Sequence, residues 1–196
     1  FRVYKVEFEG NTVFGDRQLK SKMQTKRTLW NTLLRSNFYN QLKFDLDLRM
    51  LRDMYFDKGY LDVSFSVVED LGPKGKRLSL TINVDEGRQY TVGEVSMQGN
   101  KLFADDEILS SLRLQPGDTY SQEVRRADVE RIERKYRPLG YLDMQCSARL
   151  DKDSENFTVS ILYAISEGAV STIRDINIRG NQETRDKVIR RELRIQ

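Results

Sequence analysis

The feature that most constrains this chain is an internal repetition at a fixed interval. The tetrapeptide Gly-Tyr-Leu-Asp begins at Gly59 and again at Gly140, and an acid-glycine pair ends at Gly87 and, by the same interval, at Gly168. We call the separation of Gly59 and Gly140 the repeat interval. Independent signals that recur at one interval are typical of tandem copies of a single structural unit. We therefore predict an architecture of repeats, each about 80–90 residues long.

Three Gly-Asn pairs locate the copies and show where they differ in length. The pairs begin at Gly10, Gly99 and Gly180, and the last two are separated by the repeat interval, whereas the first two are eight positions farther apart. The distance along the chain from Gly59 to Gly87 equals that from Gly140 to Gly168. The extra length of the first copy therefore lies before Gly59, in the connection between its two predicted helices. The sequence predicts one repeat at residues 1–90, a second at 91–171, and the start of a truncated third repeat at 172–196.

Hydrophobic spacing predicts the same order of elements in both full copies. Alternating apolar residues predict one strand before each Gly-Asn pair and two strands after each Gly-Tyr-Leu-Asp. Between them, spacings of three and four predict a helix that carries Leu48, Leu51 and Tyr55 in the first copy, and a shorter helix precedes it. The order strand, helix, helix, strand, strand predicts the α+β fold class, in which two helices cover one face of a three-stranded sheet.

The repeated glycine itself has a structural explanation. Gly59 and Gly140 stand where the second helix of each copy must stop. A helix that ends in left-handed backbone favours glycine at that position, because glycine lacks a Cβ. We expect the Tyr and Leu that follow each glycine to start the next strand and to pack beneath the end of the helix.

The composition argues against an enzyme and against a nucleic-acid-binding protein. The chain has no histidine and a single cysteine, Cys146, so neither a Ser-His-Asp set nor a Cys-His pair can form. Its 33 basic and 30 acidic residues nearly cancel, which disfavours a general surface for polyanions. We expect no catalytic site, no metal and no cofactor, and we expect Cys146 to be a small core residue.

The sequence also predicts that this chain is a segment of a longer protein. It opens inside a predicted strand and stops inside the third copy of the repeat. A transmembrane helix needs about 20 predominantly apolar residues in a row, and the sequence contains no such run.

Several segments resemble the POTRA repeats of BamA-like outer-membrane protein assembly factors. In chain order they read VEFEGN, KGYLDVSF, VSMQGN, LQPGDTYS, LGYLDMQC and ISEG, and the resemblance extends over the whole chain. It implies tandem POTRA repeats, each strand-helix-helix-strand-strand, with two helices packed on a three-stranded mixed sheet.

The resemblance further implies a location and a function. Proteins of this family hold their POTRA repeats in the periplasm, joined to a C-terminal outer-membrane β-barrel that this chain does not include. The implied partners are unfolded outer-membrane proteins and the accessory lipoproteins of an assembly complex, and the implied function is to aid insertion of barrels. The full-length protein would be anchored in the membrane through its barrel, and nucleic acid is not among the expected partners.

The family places the strand after the second helix at an edge of each sheet. An edge strand has unpaired N–H and C=O groups, to which an extended guest can add itself as a further strand. The residues predicted to bind client or partner strands are Val63, Ser64, Phe65, Ser66 and Val67 in the first copy, and Met144, Gln145, Cys146, Ser147 and Ala148 in the second. The alternative is that these edges are covered or unused.

The long helix–helix connection of the first copy is a second candidate surface. Its apolar residues stand in helix-like spacing among basic residues, and they are Leu29, Trp30, Leu33, Leu34 and Phe38. Such a patch suits contact with a partner lipoprotein, a neighbouring repeat or a membrane surface if it is exposed. The alternative is that it packs against the core of its own repeat.

Two other functions fit parts of the pattern. A TamA-like or other translocation barrel also uses POTRA repeats, and the third copy disfavours transporters that have only two. A KH-like RNA-binding module shares the element order and needs a GxxG loop between its helices. The GPKG of Gly72–Gly75 has that form, but it falls between two predicted strands and is missing from the second copy.

Overall fold

A computed structural model describes residues 1–25, 38–73 and 75–172, together with the single positions 177, 180 and 188. Within this part the element order predicted from sequence is confirmed twice. The first repeat contains β1 (Arg2–Glu9), α1 (Asp16–Lys22), α2 (Gln41–Phe56), β2 (Ser64–Leu71) and β3 (Arg77–Asp85). The second contains β4 (Thr91–Gln98), α3 (Asp105–Leu109), α4 (Gln122–Tyr136), a short 3-10 helix (Arg137–Leu139), β5 (Gln145–Asp153) and β6 (Thr158–Ser166).

Each repeat contains one mixed three-stranded sheet, as expected. The strand orders are β1-β3-β2 and β4-β6-β5, so the last strand of each repeat lies in the centre. The first strand runs parallel to the central one, and the strand after the long helix runs antiparallel to it. The predicted start of a third repeat at 172–196 lies almost wholly outside the described residues, and the predicted boundaries near residues 90 and 171 stay predictions.

The two cores are built from the alternation that the sequence shows. Leu78, Leu80, Ile82 and Val84 of β3 are all buried, and the residues between them are more exposed. Leu51 and Tyr55 of α2 lie fully buried against this face. Burial of each such side chain stabilises the fold by about 1.5–3 kcal/mol, so these alternating residues fix which face of the sheet the helices cover.

A buried aspartate joins the two helices of each repeat. Both oxygens of the Asp128 carboxylate on α4 accept hydrogen bonds from backbone N–H groups that follow α3, at 2.9 Å from Arg113 and 3.0 Å from Leu114. The equivalent Asp47 on α2 accepts from the N–H groups of Gln24 and Thr25. Both aspartates are fully buried, so these bonds satisfy backbone groups that water cannot reach.

A glutamate at the end of each central strand ties three elements together. The carboxylate of Glu86 accepts from the N–H groups of Thr12 and Val13 and from the hydroxyl of Tyr55 at 2.9 Å. Burial of Glu86 raises its pKa, but these hydrogen bonds outweigh burial and hold the pKa below its ordinary value. Glu167 repeats the arrangement with the hydroxyl of Tyr136. The Gly-Asn turn, the long helix and the central strand therefore meet at one carboxylate.

The repeated glycine marks the junction between successive repeats. Gly59 and Gly140 have left-handed backbone, with φ of 83° and 86°, as the sequence predicts. The carbonyl of Gly59 accepts from the N–H of Tyr90 at 2.8 Å, and the carbonyl of Gly140 accepts from Ser171 at the same distance. A Cβ at Gly59 would lie 3.0 Å from the Tyr90 carbonyl. Glycine at this position therefore ends the helix and, because it lacks a Cβ, lets the following repeat approach its backbone closely.

Three aspartates strengthen the first junction. Asp62 accepts from the hydroxyl of Tyr90 at 2.5 Å and from Lys152 Nζ at 2.7 Å. The hydrogen bond from Lys152 holds the pKa of Asp62 below its ordinary value. Asp57, at the end of α2, accepts from the N–H of Glu123 in the first turn of α4. Asp53 accepts from the side chain of Gln122 at 2.8 Å, and Arg126 lies 3.8 Å from it.

The second junction keeps the backbone contact and lacks two of these carboxylates. One repeat interval after Asp53, Asp57 and Tyr90, the sequence has Arg134, Pro138 and Ser171, respectively. Neither Arg134 nor Pro138 can accept a hydrogen bond through its side chain as a carboxylate does. The two junctions therefore share their glycine, and the carboxylates of Asp53 and Asp57 have no counterpart at the second junction.

We expect Asp128→Ala to destabilise the second repeat by about 2–4 kcal/mol, because it leaves two backbone N–H groups without acceptors in a dry site. Asp128→Asn keeps one acceptor oxygen, so we expect it to lower the free energy of unfolding by about half as much. Urea denaturation followed through amide signals of β4–β6 measures both. Glu130→Ala, at an exposed position of the same helix, serves as the control, and an Asp128→Ala variant as stable as this control would contradict the assignment.

We expect the double variant Asp57→Ala/Asp62→Ala to loosen the first junction while each repeat stays folded. Both changes remove contacts between repeats and none within a core. Amide ¹⁵N relaxation is expected to report one shared tumbling time in the parent chain and shorter, unequal times for the two repeats in the variant. Asp143→Ala removes the equivalent of Asp62 from the other junction and is the matched control. Equal relaxation in parent and double variant would show that Asp57 and Asp62 are not needed to hold the two repeats together.

Candidate functional site

The strands predicted to bind a guest lie at edges of the two sheets. β2 pairs with β3 on one side only, and β5 pairs with β6 on one side only. The opposite edges belong to β1 and β4. The family-based placement of the strand after the long helix at an edge therefore agrees with the structure.

The opposite edges are partly covered by the chain's own loops. The loop before α4 donates from Gly117 N–H to the Val92 carbonyl at 2.8 Å, and its Asp118 carbonyl accepts from Val92 N–H at 2.7 Å. In the first repeat, Tyr39 N–H donates to the carbonyl of Phe1 at 2.9 Å. Within the described ranges no such backbone bond reaches the outer side of β2 or β5. These two strands are therefore the edges that the described part of the chain leaves uncovered along their whole length.

The register of β2 shows which backbone groups face outward. Gly72 N–H donates to the carbonyl of Arg77, and the pairing then runs without a shift from Leu71 opposite Leu78 to Ser64 opposite Asp85. In an antiparallel ladder, hydrogen-bonded pairs alternate with pairs that make no ladder bond. The residues that direct their N–H and C=O groups to the open edge are therefore Phe65, Val67, Glu69 and Leu71.

The edge of β5 has the same geometry one repeat later. Gln145 lies opposite Ser166, which is the Ser64–Asp85 pair moved forward by one repeat interval in both strands. By this equivalence, Cys146 and Ala148 direct their backbone groups outward as Phe65 and Val67 do. The two edges thus offer the same pattern of donors and acceptors.

The side chains along both edges alternate between core and solvent. Ser64, Ser66, Gln145 and Ser147 are exposed, and these short or polar groups leave room for a neighbouring strand. The side chains between them pack partly against the two cores, and they are Phe65, Val67, Cys146 and Ala148. Val63 and Met144 lie just before the strands begin and are buried, so of the predicted residues these two belong to the cores.

Cys146 has the environment of a core residue. Its side chain is partly buried against the second core, and burial raises the pKa of the thiol to about 11. A thiol with so high a pKa stays protonated at neutral pH and is a poor nucleophile.

The predicted patch in the long helix–helix connection lies mainly outside the described residues. This applies to Leu29, Trp30, Leu33 and Leu34. Phe38 is described: it is 60% exposed, its backbone bridges to Arg2, and the Arg2 guanidinium lies 5.8 Å from the centre of its ring.

Two further features bear on the alternatives raised by the sequence. In the described part of the chain, no helix is long and apolar enough to cross a bilayer, and no three metal-binding side chains converge on one point. Gly72 and Gly75 lie in the turn between β2 and β3, away from the helix–helix connection where a KH module needs its GxxG loop.

Comparison with known proteins supports the architecture. A profile of the POTRA family, described as "Surface antigen variable number repeat", matches residues 1–87 and 90–168. The outer membrane protein assembly factor BamA of Neisseria meningitidis serogroup B is 33% identical over 200 residues, covering 98% of this chain and 25% of that protein. BamA of Buchnera aphidicola is 25% identical over 198 residues, covering 98% of this chain and 32% of that protein. The chain thus spans a quarter to a third of these relatives.

Solved structures of BamA proteins have the same fold as this chain. The crystal structure of Haemophilus influenzae BamA POTRA3-5 superposes with a TM-score of 0.68 at 25% identity, covering all of this chain and 77% of that one. BamA of Haemophilus ducreyi lacking POTRA domains 1-3 shares the fold, with a TM-score of 0.65 at 18% identity over 86% of this chain and 30% of that one. Since the family profile matches both repeats and a relative is one-third identical along nearly the whole length, this chain belongs to the POTRA family.

Proposed function

We propose that this chain is the periplasmic segment of an outer-membrane protein assembly factor and that it binds unfolded outer-membrane proteins by strand addition to β2 and β5. The observation that carries the proposal is the asymmetry of each sheet, in which one edge is partly covered by the chain's own loop and the described residues leave the other open. The assembly function rests on the similarity to BamA proteins. The segment acts as a binding module without a catalytic site.

Strand addition suits a client whose sequence varies. The guest would bond to outward N–H and C=O groups such as those of Phe65 and Val67, and main-chain bonds place no demand on the guest's side chains. The lengths also match, since β2 has 8 residues and β5 has 9, and a transmembrane β-strand has about 9–11. Each open edge therefore accommodates roughly one strand of a future barrel.

The chemistry of the edges favours a guest over self-association. Ser64–Val68 and Gln145–Ala148 are uncharged, whereas Glu69, Asp70 and Arg149 place charges farther along the strands. Charged residues on an edge oppose pairing with a second copy of the same strand. A single edge is expected to bind weakly, and two edges on one chain raise the affinity for a client that reaches both.

Accessory lipoproteins are the second class of partner in this proposal. The same open edges can receive an extended segment of such a protein. Anchoring of the full-length protein through a C-terminal barrel is part of the same proposal and rests on the length of the BamA relatives.

We expect a synthetic peptide with the alternating sequence of one barrel strand to shift the amide signals of β2 and β5 at sub-millimolar to millimolar concentration. The largest shifts are expected along Phe65–Leu71 and Cys146–Leu150, because their outward backbone groups receive the guest. The matched control is the same peptide N-methylated at alternate residues. It has no backbone N–H groups along one of its edges, so it cannot donate hydrogen bonds from that edge. Shifts confined to the helices, or equal shifts with the N-methylated peptide, would contradict strand addition.

We expect Val67→Pro to abolish the peptide-induced shifts in β2 and to leave those in β5 unchanged. Proline at this outward position removes one N–H from the open edge, and the hydrogen bonds of Ser66 and Val68 to β3 remain. The amide shifts in β5 serve as a control within the same sample, because they show that the peptide is active and that the second repeat still binds it. Unchanged shifts in β2 would show that the guest does not bond to this edge.

A further inference from the structure

The long helix of the first repeat carries an apolar stripe on its solvent side. Leu42, Leu46 and Met50 are 76%, 51% and 40% exposed. They stand four positions apart, so they lie on one face of α2, opposite the side that buries Leu51 and Tyr55 in the core. We call these three residues the α2 stripe.

The second repeat shows that the fold does not require this stripe. One repeat interval later, the three positions are Glu123, Ala127 and Arg131 on α4. Both helices occupy the same place, since Leu48, Leu51 and Tyr55 correspond to Val129, Ile132 and Tyr136. Two leucines and a methionine exposed to water are unfavourable for solubility and contribute little to the core. Their presence in the first repeat and not in the second therefore points to a contact made by the first repeat.

Cations flank the α2 stripe. Lys43, Arg49 and Arg52 are exposed, and none of them forms an ion pair within the residues that the structure describes. On α4 the positions of Arg49 and Arg52 hold Glu130 and Glu133, so the sign of the charge beside the stripe is also particular to the first repeat.

The acids of α2 are already engaged. Asp47 is buried and holds the end of α1, and Asp53 and Asp57 bond to the second repeat. Asp45 accepts from Gln41 at 3.1 Å. Asp45 keeps its negative charge, so beside the stripe the three cations are opposed by this one carboxylate, apart from the aspartates that are buried or bonded to the second repeat. The described surface around the stripe therefore presents apolar groups together with an excess of positive charge.

We propose that the α2 stripe is a docking surface for an amphipathic helix of a partner protein whose apolar residues are bordered by Glu or Asp. A helix with apolar residues at positions i, i+3 or i+4, and i+7 packs against such a stripe. Its acidic borders would pair with Lys43, Arg49 and Arg52, and this complementarity fixes register and suppresses wrong partners. The surface lies on the helical layer and is independent of strand addition.

Two other occupants fit less well. A second copy of this chain would place Arg49 and Arg52 against the same cations, which opposes face-to-face pairing. A membrane surface favours a long apolar face, whereas this stripe spans about 12 Å from Leu42 to Met50. The opposite side of α2 is held in the core, so the helix cannot sink into lipid without unfolding the repeat.

The test uses two designed helical peptides that share one leucine stripe and differ in their borders, one with Glu and one with Lys. Fluorescence anisotropy of each labelled peptide, titrated with the 196-residue chain at low salt, measures binding. We expect the Glu-bordered peptide to bind at least tenfold more tightly than the Lys-bordered one, with affinity that falls as salt is added.

Two variants borrow their residues from the second repeat, which tolerates them in the same fold. The apolar graft Leu42→Glu/Leu46→Ala/Met50→Arg is expected to weaken binding of the Glu-bordered peptide at least tenfold. The charge graft Arg49→Glu/Arg52→Glu keeps the stripe and is expected to reverse the preference toward the Lys-bordered peptide. Amide spectra of both variants check that the repeat stays folded.

Each other outcome overturns the proposal. Equal binding of both peptides, or binding that neither graft alters, would show that the stripe is not the site. Binding of vesicles containing anionic phosphatidylglycerol that the apolar graft abolishes, without peptide binding, would assign the stripe to a membrane. Sedimentation that shows a dimer lost in the apolar graft would assign it to a second copy. Absence of binding of either peptide would likewise show that the stripe is not a docking site for an amphipathic helix.

Discussion

The structure of each repeat depends on carboxylates that accept hydrogen bonds from backbone N–H groups between the helices and the sheet. Glu86 holds the turn after β1 and the hydroxyl at the end of α2, and Asp47 holds the end of α1. A small sheet covered by two helices leaves many helix ends and turns near its core, and each buried N–H needs an acceptor. Two carboxylates per repeat meet that need, and Glu167 and Asp128 do the same in the second copy. These carboxylates therefore fix the positions of the turns and helices relative to the central strand of each sheet.

Much of this fold can be predicted from the sequence, because repetition and periodicity report directly on buried faces. The order of elements, the alternation of Leu78 to Val84 and the left-handed Gly59 all follow from such patterns. The roles of Asp47 and Glu86 do not, because a lone acid among polar residues looks like a surface residue until its acceptor geometry is seen. The recurrence of both acids one repeat interval later, as Asp128 and Glu167, was the signal that could have revealed them. Which edge stays open could not be predicted either, since it depends on where the loop around Gly117 folds back.

The candidate surfaces differ in what they can recognise. The open edges of β2 and β5 offer main-chain groups, so they are indifferent to the sequence of a guest and suited to clients of many kinds. The α2 stripe offers side chains of defined size and charge, so it is suited to one partner. Comparison of the two copies separates these surfaces, because the edges are common to both repeats and the stripe belongs to one. A duplicated unit thus keeps a general function in both copies and acquires a particular contact in one.

The unequal junctions have a mechanical consequence. Asp53, Asp57 and Asp62 brace the first joint on two sides, one at the start of α4 and one at the β5–β6 hairpin, so bending in either direction must stretch a hydrogen bond. At the second joint the positions of Asp53 and Asp57 hold Arg134 and Pro138, so those two carboxylates have no counterpart there. Under load the two open edges of the described repeats would therefore keep a nearly constant spacing and orientation. An extended chain bound to both edges would move with them as one rigid unit.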